Sequence, residues 1–147
     1  MGTLHDANKV LMGTTGSNIR DVGNKKGAIA AGIAVRLKSD DTITTAKADG
    51  ATLGISLGKD LSDTDKTAIC RKGLLVPIQL TTGFNPTIGA AVTIDDVTGL
   101  AKAAGAGVTA FNGTFATGRV GGNGVNAGQQ EDGTTVGVAY VDMPGGL

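Results

Sequence analysis

The chain has 147 residues and 13 Lys+Arg against 13 Asp+Glu, so its formal charge is zero. That length suits one domain of ordinary size, able to bury about two thirds of its unfolded surface without help from metal or disulfide. Zero net charge argues against a dedicated nucleic-acid binder, no apolar run of about 18 residues offers a membrane span, and the first twenty residues show no apolar stretch of the secretory-leader kind.

Gly contributes 25 residues and Thr 19, while aromatics make up 3 %. Disorder would need low hydrophobicity and high net charge, whereas 40 % of this chain is apolar. Gly and Thr with Val and Ile fit short strands joined by tight turns. Ala sits beside Gly, which costs a helix about 1 kcal/mol at each position. A core so poor in aromatics invites extra burial from an oligomer or from a large surface.

Residues 1–27 read as an extended arm. Leu4, Val10, Leu11, Met12, Ile19 and Val22 are scattered among Gly, Asn, Thr and Lys with no sustained period of 2 or 3.6. Such a segment is either a frayed terminus or one that orders on a partner. Residues 28–147 read as a single β domain. Ile29, Ala31, Ile33, Val35 and Leu37 alternate with Ala30, Gly32, Ala34, Arg36 and Lys38, which predicts a half-buried strand with Arg36 and Lys38 on its polar side. Ser39-Asp40-Asp41 is a turn, 42–47 a short Thr-rich strand, and Asp49-Gly50 another turn. Leu53, Ile55 and Leu57 alternate with Gly54, Ser56 and Gly58, where small residues suggest close backbone approach.

Residues 59–66 are polar. Cys70, Leu74, Val76, Ile78 and Leu80 then share one parity, with a bulge or bend at Gly73. Pro77 cannot donate to a ladder, so this strand must lie at an edge or be bulged there. Thr82-Gly83 and Asn85-Pro86 are turns. Ala90, Val92 and Ile94 form a strand, and 100–103 return it as a hairpin. Residues 104–133 read as an irregular loop insertion, with Phe111, Phe115 and a Gly/Asn-rich run from 121 to 128. Val136, Val138 and Tyr140 make the last strand.

Two stretches are alike. Gly32-Ile33-Ala34-Val35-Arg36-Leu37 leads to Asp40-Asp41 and Ala46-Lys47-Ala48; Gly89-Ala90-Ala91-Val92-Thr93-Ile94 leads to Asp95-Asp96 and Ala101-Lys102-Ala103. Asp49 to Ile55 then matches Asp132 to Val138. The order of the pieces is kept as well as their composition, which argues for an internal repeat. Two similar three-stranded units facing one another predict a small β-barrel or β-sandwich.

Little chemistry emerges. His5 is the one imidazole and lies in the arm. Cys70 is the one thiol, which excludes an intrachain disulfide and a multi-cysteine zinc site; it sits on an apolar parity and reads as a small buried hydrophobe. Asp60, Asp63 and Asp65 fail the EF-hand pattern, because Arg71 stands at position twelve and no Gly follows Asp65. Asp40-Asp41 and Asp95-Asp96 could pair as hydrolytic carboxylates, but their symmetry within the repeat favours turn residues. Gly121-Gly122-Asn123-Gly124 lacks the helix and Lys-Ser/Thr of a phosphate loop. No catalytic residue, cofactor or metal is expected, and the residues describe a protein whose business is contact.

One arrangement carries a resemblance: Gly32-x-Ala34-Val35, then 49–55, Gly73-Leu74-Leu75-Val76-Pro77-Ile78, Ile88-Gly89-Ala90-Ala91-Val92-Thr93-Ile94-Asp95, and Thr135-Val136-Gly137-Val138-Ala139. From residue 27 onward the chain resembles the small capsid decoration, or cement, proteins of tailed bacteriophages. The resemblance implies a β head, commonly a homotrimer (a dimer is the alternative), made in the host cytoplasm and bound to the outer surface of the virion. Its partner would be the major capsid protein, with neither nucleic acid nor membrane bound. The implied work is to clamp neighbouring subunits against the pressure of packed DNA. The pattern of the arm suggests Leu4, Val10, Leu11, Met12 and Ile19 as apolar anchors, with Arg20, Lys25 and Lys26 as polar ones. Alternative readings are another virion structural domain, such as a head-fibre base or tail-surface protein, a glycan-binding surface module, or a hydrolase using paired Asp.

Overall fold

The computed structural model describes residues 19–23, 29–40, 42–47, 50–59, 66–120 and 137–146. The fold is all-β. Among the described residues nine strands run in chain order: β1 (Ile19–Gly23), β2 (Ala34–Leu37), β3 (Ile43–Thr44), β4 (Ala51–Lys59), β5 (Lys66–Cys70), β6 (Gly73–Gln79), β7 (Ala91–Asp95), β8 (Val108–Phe115) and β9 (Val138–Met143). They form a five-stranded sheet in the order β1-β5-β4-β2-β3 and a four-stranded sheet in the order β6-β9-β8-β7. Every strand pairing is antiparallel.

The main core lies between the sheets. Ala34, Ile55, Leu57, Ala68 and Cys70 of the first sheet meet Val76, Ile78, Val92, Ile94, Phe115, Val141 and Met143 of the second. All three phenylalanines belong to this cluster, two of them at its margin. Phe84 and Phe115 stand edge to face, with ring centroids 5.9 Å apart, the arrangement that aromatic quadrupoles favour.

A second apolar cluster occupies the other face of the five-stranded sheet: Val35, Ile43, Leu53 and Ile69, with Ile29 and Leu37 against them. Leu53 and Ile55 share a parity in sequence yet point to opposite faces. The cause is a register shift, with Val35 opposite Gly54 but Arg36 opposite Thr52, so Leu53 is an extra residue in β4. Close approach is real at Gly54, where an added Cβ would lie 2.4 Å from the Cys70 carbonyl oxygen.

Arg36 departs from the expected polar face, since only 1 % of it is exposed. It shares the Ala34 side of β2, facing the opposite sheet, where Thr45 and Asp96 receive it. Leu74 also leaves its expected parity and is exposed, because the strand breaks at Arg71-Lys72 and the register of β6 against β9 shifts between Gly73 and Val76. Of the two readings of Pro77 the edge holds, as β6 is an edge strand; the bulge lies before it, between Gly73 and Val76, and Pro77 pairs in regular register with Tyr140. Within the arm, residues 19–23 form β1, the outermost strand of the first sheet. Within the expected irregular insertion, residues 108–115 form β8, which pairs with both β7 and β9. The sequence hides β8 because Asn112-Gly113 interrupts its alternation at a register shift, where Ala91 faces Thr114 and Val92 faces Phe111.

The two repeat units share their first two pieces. β2 has β3 returning beside it; β7 has the chain at Ala101 returning beside it through an antiparallel bridge at Ile94. Asp40 Oδ1 accepts from Thr42 N and Asp95 Oδ1 accepts from Val97 N, the same two-residue turn in both. Gly32 and Gly89, equivalent in the repeat, have φ of 81° and 86°. The third pieces sit differently, since β4 lies directly beside β2 whereas β8 enters between β7 and β9.

Main chain joins the sheets along one flank. Gly32 N donates to Ser56 O at 2.7 Å in the first sheet, while Gly32 O accepts from Gln79 N at 2.7 Å in the second. Ala34 N donates to Gly99 O at 2.9 Å. The segment 99–102 also bridges the ends of β6 and β7, for Leu80 and Ile94 both pair with Ala101. The second sheet is thus tied across at one end rather than closed along its length.

Gly99 has φ of 75°, and a Cβ there would sit 2.4 Å from the Ala34 carbonyl oxygen; Gly89, also left-handed, has open space around it. Gly89→Ala is expected to cost about 1 kcal/mol of stability from backbone conformation alone. Gly99→Ala should cost more than about 2 kcal/mol, because the junction between sheets must also open. Paired denaturant titrations check the difference.

Candidate functional site

Three places gather the polar and strained groups of the described residues. The first is the root of the arm. Ile29 runs over the outer face of β4 and β5, and two buried hydroxyls hold its main chain. Ile29 N donates to Thr67 Oγ1 at 2.9 Å, and Ser56 Oγ donates to Ile29 O at 3.0 Å. Ser56 Oγ also accepts from Gly58 N at 3.1 Å. Both hydroxyl residues are fully buried, so each bond replaces water that burial has removed. The chain is thereby gripped ahead of β2, on the sheet that β1 already edges.

The second place is the acidic turn after β7. Asp95 Oδ1 accepts from Val97 N and Thr98 N, each at 2.9 Å, and Asp95 Oδ2 pairs with Lys102 Nζ at 3.2 Å. These backbone N–H groups, with Lys102 adding to them, hold the Asp95 carboxyl well below the usual carboxylate range. Asp96 faces the other sheet. Its carboxylate lies 3.9 Å from Arg36 Nη2 and 3.9 Å from Lys47 Nζ, and it accepts from Thr109 Oγ1 at 2.7 Å. Lys47 N donates to Asp96 O at 2.8 Å, and Thr45 Oγ1 donates to Val97 O at 2.8 Å. Burial pulls the Arg36 guanidinium below its ordinary value, opposed by Asp96 and then Asp95. Both carboxylates are therefore committed to holding turns and pairing cations, and no group of three or more His, Cys, Asp or Glu converges among the described residues.

The third place is the bulge that opens β6. Leu74 and Leu75 are each 57 % exposed. Leu75 has φ of 52°, the one non-glycine residue with positive φ among those described. Such a conformation costs a branched L-residue about 1–2 kcal/mol. It is held by Asp142 Oδ1, which accepts from Leu75 N at 2.9 Å.

Of the residues proposed as arm anchors, Leu4, Val10, Leu11, Met12, Lys25 and Lys26 lie outside the described residues, as do His5, Asp41, Asp60, Asp63, Asp65 and the run 121–128. Ile19 and Arg20 belong to β1, opposite Cys70 and Ile69. Cys70 is fully buried, its Sγ donating to Lys72 O at 3.1 Å, and burial pushes the thiol up. One residue was not singled out by pattern. Arg119 lays its guanidinium against Gly137, where a Cβ would sit 2.4 Å from Cζ, and Nη1 donates to Phe84 O at 3.1 Å. Its only sequence signal is a lone cation in glycine-rich surroundings.

Two outcomes follow. A group whose folded pKa is depressed contributes stability that is complete above its unfolded pKa of about 3.9 and is lost as pH falls below it. Asp95→Asn should therefore be less stable than the parent at neutral pH, with the gap narrowing as pH drops below about 4; melts across that range check it. Thr67→Val should leave the Ile29 N–H buried without a partner, costing about 1–3 kcal/mol, and hydrogen exchange should show that amide opening faster than its neighbours.

Comparison of the whole chain with protein-family models and with curated proteins finds no match.

Proposed function

We propose that this chain is a structural virion protein. It decorates the outer surface of a tailed-bacteriophage head and cements neighbouring major capsid protein subunits, working as a homotrimer. The observation that carries the reading is where its polar side chains are spent. Thr67, Ser56, Asp95, Asp96, Arg36 and Arg119 all grip main chain or cross-link turns, which suits a stiff body that bears load. The resemblance adds to it, because its segments fall on β2, β4, β6, β7 and β9. The arm would supply reach, and β1, paired along β5, would pass tension from it into the sheet, with the grip on Ile29 as a second hold. Modest contacts repeated over adjacent subunits then add up through effective concentration, without a deep site.

Deleting residues 1–18 leaves β1 and the Ile29 grip intact, so the head should melt as the parent does. Its retention on expanded empty heads, built from the major head protein of the same virus, should fall by about a hundredfold or more. Sedimentation of mixtures checks this, and undiminished retention of the shortened chain would remove the arm from the proposal. The solution mass of the parent should be three times that of one chain.

A further inference from the structure

We infer that the Leu74–Leu75 bulge is an apolar foot that seats this chain on the outer surface of the major capsid protein, in a hollow of apolar floor and acidic rim. This rests on the capsid reading above. Bulges at sheet edges ordinarily blunt the edge against strand addition, helped by charged side chains. This one sits at the start of the edge strand β6 and presents two leucines instead, each 57 % exposed. Leu75 keeps a φ of 52° that glycine would adopt freely, and Asp142 holds it there. A strained backbone that pushes an apolar side chain into water is a feature whose benefit lies outside the fold.

The route of the chain points to the occupant. β1 begins with Ile19 opposite Cys70, four residues before Leu74. The point at which the arm joins the domain, Ile19, thus lies beside the end of β5 that leads to the bulge, and 18 residues fully extended span about 60 Å. Arm and foot thus leave the domain at one place and would meet one surface. Exposed Lys72 precedes the leucines, while the Asp142 carboxylate beside them is taken up by Leu75 N, so an acidic group on the rim would complement Lys72. Pro77 removes an N–H from β6, which favours a side-chain contact over strand addition along this edge.

The test is the pair Leu75→Gly and Leu74→Ser/Leu75→Gly. Leu75→Gly should melt at or above the parent temperature, since glycine accepts that φ. The double variant, still folded, should bind expanded empty heads of the same virus about tenfold or more weakly than the parent. Equal uptake of parent and both folded variants overturns the inference and leaves the capsid reading standing. Heads that take up no parent chain overturn the reading, and the inference with it. A double variant whose solution mass falls below the parent's assigns the bulge to contact between copies and overturns the inference. Should the double variant melt early, Leu75→Gly alone decides, with an expected loss of uptake at unchanged melting temperature.

Discussion

The structure depends on main chain meeting main chain across the sandwich. Residues 31–34 are bonded to both sheets: Gly32 reaches Ser56 on one side and Gln79 on the other, and Ala34 reaches Gly99. A side chain at Gly99 would meet the Ala34 carbonyl oxygen and hold the sheets apart there. Here the scarcity of aromatics and the abundance of glycine are one fact, since a thin layer of Ile, Val and Ala fills a gap that hydrogen bonds already hold narrow. The Gln79 side chain completes the seam by donating to Ala31 O at 2.8 Å.

The ion pair between buried Arg36 and partly exposed Asp96 belongs to the same flank. Arg36 comes from the first sheet and Asp96 from the second. Pairs of this kind seldom add net stability against an apolar alternative, because taking both charges out of water offsets their attraction. What Arg36 and Asp96 do provide is definition of register. With Lys47 N and Thr45 Oγ1 also bonded to the 95–98 turn, the first unit meets the second in one alignment.

Much of the architecture was legible from alternation and punctuation. Ala34 to Leu37, Leu53 to Gly58 and Ala91 to Ile94 are strands, as apolar recurrence at period 2 predicts, although the strand expected from Ile29 starts only at Ala34, after a turn at 31–32; Pro77 marked an edge and Gly73 a bulge. Three of the misreadings share one origin, added residues at a register shift. The extra Leu53 sends two residues of one parity to opposite faces. Asn112-Gly113 conceals β8, and the shift between Gly73 and Val76 turns Leu74 outward. Arg36 was misread because alternation says which residues share a face and not what lies opposite. The grip of Thr67 and Ser56 on Ile29 had no signal either, since two hydroxyls on strands do not announce which main chain they will hold.

The position of Cys70 has a practical consequence. The thiol lies in the interior of the first sheet, flanked in the ladder by Ile19 of β1 and Ile55 of β4, with no surface exposed to solvent. A sulfhydryl reagent can reach it only when β5 parts from a neighbour or the sheets separate. One native atom, requiring no engineered label, thus times the breathing of the domain alone and in whatever assembly it joins.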